Sequence, residues 1–209
     1  MFVKPYSSIR WPAITPLVLA VFCFVVFVSA HAAERGAVED PGEVSLTKQI
    51  EVLLGALSFS KSATDGKDSE AKFTIAIVHD RNVAAKTLKA TKAAFEKNSD
   101  LEIKGRRISA VILPFRHARD LKKKIVRLKA DAVYIPSGNE RSVRIILSIT
   151  RRLDRVSFTC VPDFVHWRGV TLGVDASSGE PKLMVNLAGC RDENVEFGEE
   201  VLSDAQVFF

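Results

Sequence analysis

The stretch from Asp131 to Asp163 narrows the folds open to this chain more than any other. It opens with Asp131-Ala-Val-Tyr-Ile-Pro-Ser-Gly-Asn139 and closes with Val156-Ser-Phe-Thr-Cys-Val-Pro-Asp163. Each flank is a short β-branched and aromatic run stopped by Pro and polar residues, the pattern of a buried strand ending at a loop. Between them Val143, Ile146, Ile149 and Leu153 recur at helical spacing, with Arg141, Arg144, Arg151 and Arg152 around the rest of the surface. That is an amphipathic helix with one apolar face. Strand, helix and strand within about 30 residues form a βαβ unit with a right-handed crossover.

Similar units extend it on both sides. Ser45 to Leu57 carries Leu46, Ile50, Leu53, Leu54 and Leu57 on one helical face. Alone, such a helix is too short to be stable, so it must dock on something. After a polar loop, Phe73 to Val78 reads as a buried strand, followed by a helix from Val83 to Lys97. Leu101 to Arg107 is charged and partly extended, as an edge strand is. Ile108 to Leu113 is the next buried strand, and Leu121, Ile125 and Leu128 mark a basic helix from Asp120 to Lys129. Beyond Asp163 the period changes. Gly169 to Val174 and Lys182 to Leu187 both alternate around a turn-rich loop, which predicts an antiparallel hairpin. Leu187 to Asn194 reads as an irregular turn, and Glu199 to Val207 as a last amphipathic helix. The expected fold class is α/β: a three-layer sandwich with a mostly parallel sheet, an antiparallel C-terminal hairpin and flanking helices.

The N-terminus reads as a targeting segment. Lys4 and Arg10 precede an uninterrupted apolar run from Leu17 to Val28, and Ala30-His31-Ala32 supplies small residues for cleavage. The alternative is an uncleaved anchor stretching from Ala13 to Ala33, although the apolar core is short of the roughly 20 residues a span needs. Cys23 follows Phe22 inside the apolar run, which does not suit a lipidation signal. The expected layout is a signal peptide over 1–32, a mobile leader over 33–44 and one domain over 45–209. The expected location is the periplasm. Loss of Lys4 and Arg10 lowers the formal charge from +5 to +3. The remaining cations are mixed with acids, so no nucleic-acid partner is expected. Cys160 and Cys190 then remain, an even number in an oxidising compartment. A disulfide between them would close a loop of about 30 residues and contribute roughly 3 kcal/mol. The alternative is two separate thiols, one of them in a strand.

Ligands of open α/β sheets bind beyond the carboxyl ends of the strands. Here those ends are His79-Asp80, Pro114-Phe115-Arg116-His117, Pro136-Ser137-Gly138-Asn139 and Pro162-Asp163-Phe164, which should share one rim. Ser137, Asn139 and Asp163 are candidates to hydrogen-bond a small ligand, with Phe164 and Trp167 as an apolar wall. The plainer reading is that Asn139 and Asp80 cap the helices that follow, as these residue types commonly do. Phe164 and Trp167 could equally complete the core under the hairpin. No Gly-x-Gly-x-x-Gly or Walker loop is present to cradle phosphate, and Ser137-Gly138 lacks the nucleophile-elbow context. His79, His117 and His166 lie far apart without paired spacing, so no metal site is expected. No cofactor and no enzymatic activity are expected either.

The C-terminal half resembles the YfiR-like periplasmic proteins. The matching pieces are Val156-Ser-Phe-Thr-Cys-Val, then Pro162-Asp163-Phe164, and a Gly before the hairpin at Gly169. Most telling is the tail: Lys182-Leu-Met-Val-Asn186-Leu, a short turn, Val195-Glu-Phe, then Glu200-Val-Leu202-Ser-Asp-Ala205-Gln-Val207. The first half matches in layout. The chain departs from its relatives at Phe59, where they have an aromatic-rich helix end, and at Arg168-Gly169, where many have paired Gly. The resemblance implies regulation without catalysis. Such proteins are similar to a repressor that binds the periplasmic sensor region of an inner-membrane diguanylate cyclase and holds it inactive; release raises cyclic di-GMP and promotes biofilm formation. The expected partner is thus a diguanylate cyclase or histidine kinase sensor domain. A homodimer is compatible with the family, and no stripe of this sequence demands one.

The competing expectation is a periplasmic small-ligand-binding protein of transporter or sensor type, whose lobes also alternate strand and helix. Residues 33–209 supply one such lobe, while a transporter-type protein needs two domains of about 100–150 residues each. A one-lobed sensor that signals to a membrane partner would merge the two readings.

Overall fold

The computed structural model describes residues 44–62 and 72–209. The expected signal segment, and the leader apart from Val44, lie outside the described residues. Among the described residues, no helix is long and apolar enough to cross a membrane.

The first described helix, α1 (Leu46–Ser58), starts where Ser45 accepts a hydrogen bond from the Lys48 N–H at 3.3 Å. It buries Ile50, Leu53, Leu54, Ala56 and Leu57. The chain continues through β1 (Ser60–Ser62), β2 (Phe73–His79), α2 (Ala85–Lys97), β3 (Glu102–Ile103) and β4 (Arg106–Pro114). Then come α3 (Ala118–Leu128), β5 (Ala132–Tyr134), α4 (Val143–Leu153), β6 (Val156–Thr159), α5 (Pro162–Arg168) and β7 (Leu172–Asp175). The tail is β8 (Lys182–Asn186), α6 (Leu187–Asp192), β9 (Val195–Phe197), α7 (Glu199–Leu202) and β10 (Gln206–Phe208).

Among the described residues, eight strands form one sheet in the order β10-β8-β7-β6-β5-β2-β4-β3, and β1 pairs with β9 in a separate two-stranded ribbon. β4, β2, β5, β6 and β7 are parallel. β8 is antiparallel to β7, and β3 is a short antiparallel edge on β4. The architecture is the expected mostly parallel α/β sandwich with an antiparallel hairpin.

Strand alternation divides the core in two. Ile75, Ile77, Ala132, Tyr134, Phe158, Leu172 and Val185 face α1 and α2. Ala76, Val78, Val133, Ile135 and Met184 face α3, α4 and α5. On the first face Phe95 of α2 meets Tyr134 edge-on at 5.3 Å between ring centroids, and Tyr134 meets Phe158 at 5.3 Å. Gly173 lets α5 lie close on β7, since a Cβ there would come 2.3 Å from Val165 Cγ2.

At the amino ends of the strands, Asp131 ties β2, β4 and β5 together. Its Oδ2 accepts from the Thr74 N–H at 2.8 Å, and its Oδ1 accepts from both terminal nitrogens of Arg106 at 3.1 Å. The Arg106 guanidinium also lies 5.0 Å over the Phe73 ring.

Three local expectations are corrected. The turn after β8 is helical: the Asn186 side chain accepts from the Gly189 N–H at 2.7 Å and starts α6. Pro162 opens a helix, α5, where a loop is expected from the sequence; Pro is favoured in a first helical turn because the N–H it lacks has no intrahelical acceptor there. The last helix is only Glu199–Leu202, and Gln206–Phe208 form β10, parallel to β8. The aromatic and β-branched end Val207-Phe208 gains ladder hydrogen bonds at the sheet edge that a frayed terminal helix could not match.

Cys160 and Cys190 are free thiols, so the expected disulfide is not formed. Cys160 follows the carboxyl end of β6. Because β8 runs antiparallel, α6 and Cys190 start from the opposite end of the sheet. There Glu193, just past α6, bonds Ser157 and Thr171 near the amino ends of β6 and β7. The two sulfurs therefore belong to opposite ends of one strand, beyond the reach of a bridge.

Candidate functional site

The parallel strand order β4-β2-β5-β6-β7 reverses between β2 and β5: the chain runs from β2 out to β4, then crosses to β5 on the other side. Loops at such a reversal diverge and leave a crevice beyond the carboxyl ends of the strands. A cavity of about 530 Å³ lies there.

Its floor is a buried polar network. Asn139, fully buried, accepts the Asp80 N–H on Oδ1 at 3.0 Å and donates through Nδ2 to the Val78 and Pro136 carbonyls at 3.1 and 3.0 Å. Ser142 donates its hydroxyl to Asp80 Oδ2 at 2.8 Å, and Asp80 Oδ1 accepts from the Asn82 N–H at 2.7 Å. Asp80 and Ser142 are 7% and 3% exposed. The expected capping role is thus corrected for both Asn139 and Asp80. Their side chains join the β2–α2 loop to the β5–α4 loop, and α4 begins at Ser142 without a side-chain cap. Gly138 makes the approach possible: its φ is +92°, and a Cβ there would come 3.0 Å from Val83 Cα.

The walls come from three loops. Arg81 follows β2, Phe115 and Arg116 follow β4, Arg141 ends the loop before α4, and Ile145 is in the first turn of α4. All three arginines are exposed at the rim, and none is in a salt bridge among the described residues.

The residues singled out from sequence divide. Asn139 lies buried beneath this crevice, bonded to its lining residues Asp80 and Ser142, and Ser137 is exposed on the same loop. Asp163 is exposed in the first turn of α5. Phe164 is 3% exposed and packs in the core with Val165 and Met184, which corrects its assignment to a surface wall. Trp167 is 70% exposed. Its ring stacks on His166 at 4.0 Å, and His166 lies 4.8 Å from Phe208 of β10. Sequence reasoning identifies the rim loops by their Pro and polar stops. It misses the grouping of Arg81, Arg116 and Arg141, which depends on the order in which β4, β2 and β5 lie.

A second polar centre lies at the other end of β6. Glu193 is fully buried and takes four hydrogen bonds: from the Thr150 hydroxyl at 2.5 Å, the Ser157 N–H at 2.7 Å, the Ser157 hydroxyl at 3.0 Å and the Thr171 hydroxyl at 2.6 Å. Burial pushes its carboxyl up to about 7, outweighing the opposing pull of these neutral donors. Burial likewise pushes the Cys160 and Cys190 thiols up to about 12. Among the described residues, no group of three or more His, Cys, Asp or Glu is placed to hold a metal ion.

No protein-family model matches this sequence. No curated protein matches it either. Several solved structures share the fold, three of them as follows. A conserved domain protein from Vibrio cholerae aligns with a TM-score of 0.54 at 14% identity, over 80% of this chain and 61% of that one. A ligand-free, open substrate-binding protein with adhesive properties from Clostridium difficile aligns at 0.51 and 14% identity, over 78% of this chain and 59% of that one. An ABC domain from Streptococcus pneumoniae in complex with L-Trp aligns at 0.50 and 15% identity, over 78% and 61%. The chain thus spans about three fifths of the length of these structures. At such identities the likeness is one of fold.

Proposed function

We propose that this chain is a non-catalytic periplasmic regulator of the YfiR-like kind, which binds the sensor region of an inner-membrane diguanylate cyclase or histidine kinase. The observation that supports it is the aromatic surface beside the outermost strand. Trp167, 70% exposed, stacks on His166, His166 lies against Phe208, and Phe209 beyond it is 95% exposed. Large aromatics left in water next to a sheet edge are the usual anchors of a protein interface. Such a regulator acts only if it binds the inactive state of its sensor more tightly than the active one. The test is capture of detergent-solubilised membrane proteins by the tagged, processed chain. Recovery of a protein with a cyclase or kinase domain is expected, with at least tenfold weaker binding for Trp167→Ala. Because Trp167 is exposed, this variant should unfold within about 0.5 kcal/mol of the parent. Equal capture by both forms removes the aromatic surface from the interface, and recovery of permease subunits alone refutes the regulator.

A second reading, a periplasmic small-ligand-binding protein, is favoured by the cavity at the β2/β5 reversal. Saturable, cavity-localised binding of any small solute would support it.

A further inference from the structure

We infer that the β2/β5 crevice is a site for a small organic anion, one carboxylate or phosphate group on an apolar body. This deepens the small-ligand reading and rests on it. Three observations converge. First, the loops after three neighbouring strands each bring an arginine to one cavity: Arg81 after β2, Arg116 after β4 and Arg141 after β5. Like charges gathered without salt bridges among the described residues repel one another, and an anion relieves that repulsion. A guanidinium fork also matches a carboxylate or phosphate geometrically, with two parallel N–H donors. Second, Arg141, Ser142 and Ile145 belong to the amino end of α4, whose dipole adds positive potential there. Third, the one lining carboxylate, Asp80, offsets at most one of the three cations and forms no ion pair with any of them among the described residues. Asp80 is 93% removed from solvent by its 7% exposure, and its two oxygens are engaged by Asn82 and Ser142. Asp80 is therefore a positioning residue that sets the floor, and the cations outnumber it at the mouth.

The apolar requirement comes from Phe115 and Ile145. Ile145 is 43% exposed and faces the same cavity as the arginines. A volume of about 530 Å³ falls within the range of sites that enclose whole metabolites, so the anion need not be a bare inorganic ion.

The test uses three related probes on the expressed protein: phenyl phosphate, phenylacetate and the neutral phenylacetamide. Backbone amide shifts of Arg81, Asn82, Ser142 and Ile145 are followed by NMR during titration. The two anions should produce saturable shifts at these positions, weakened by added salt, and phenylacetamide should not. Arg141→Gln and Arg116→Gln should each weaken phenyl phosphate at least tenfold while leaving the remaining spectrum in place. If all three probes saturate alike and the variants bind normally, the crevice takes small ligands but not by charge, and the anion inference fails alone. If no probe moves these amides, the small-ligand reading fails with it.

Discussion

Replacing Glu193 with glutamine should stabilise this protein above neutral pH and do so much less in mild acid. The folded carboxyl sits near 7 against an ordinary value of 4.5. The folded state therefore holds a proton that the unfolded chain releases between those values. Stability falls as pH rises through this window and levels off above it, by about 3 kcal/mol in all. Gln removes the titration. The geometry also accommodates it: its oxygen can accept from the Ser157 N–H, the Ser157 hydroxyl and the Thr171 hydroxyl, while its amide donates to Thr150. The Thr150 hydroxyl can then donate to the Leu147 carbonyl, 3.0 Å away. Urea unfolding of both proteins at about pH 5 and about pH 8.5 measures the effect as a difference, which cancels every other titrating group. The expected outcome is a gain of under about 1 kcal/mol at the lower pH and of about 3 kcal/mol for Glu193→Gln at the higher. A variant weaker than the parent at both pH values would refute the reasoning. It would mean that the four donors, and not burial, decide the charge, and that Glu193 is a carboxylate throughout.

Two further outcomes follow from the same buried chemistry. Arg106→Met should destabilise the fold by about 3 kcal/mol, because it strands the buried Asp131 carboxylate; the double variant with Asp131→Asn should recover part of the loss in urea unfolding. Cys160 and Cys190 should resist iodoacetamide in the native protein near neutral pH and alkylate on unfolding without reductant, as read by peptide mass mapping. Failure to alkylate the unfolded chain would reveal a bridge.

Periodicity was enough for the main elements. The face of Ile50, Leu53, Leu54 and Leu57 is buried as its spacing requires, and the run from Asp131 to Asp163 is a βαβ unit. The hairpin of β7 and β8 is legible for the same reason: alternation over a few residues senses which side of the chain meets the core. The tail is harder to read, because short segments such as Gln206–Phe208 fit two periods equally. Their state is decided by whether an open strand edge is available.

The candidate site shows where local pattern ends. The Pro and polar stops after β2, β4 and β5 identify a rim, and the resemblance to YfiR-like proteins rests on the order of elements. That Arg81, Arg116 and Arg141 line one cavity follows only from β2 lying between β4 and β5. That Phe164 is core while Trp167, three residues later, is exposed follows from which face of α5 meets the sheet. That Cys160 and Cys190 stay apart follows from the reversal of β8. Sequence by itself determines the elements, since each is set by contacts between near neighbours and one buried face. Tertiary structure alone decides the site and the thiols, because these depend on distances between residues far apart in the chain, which no local periodicity encodes.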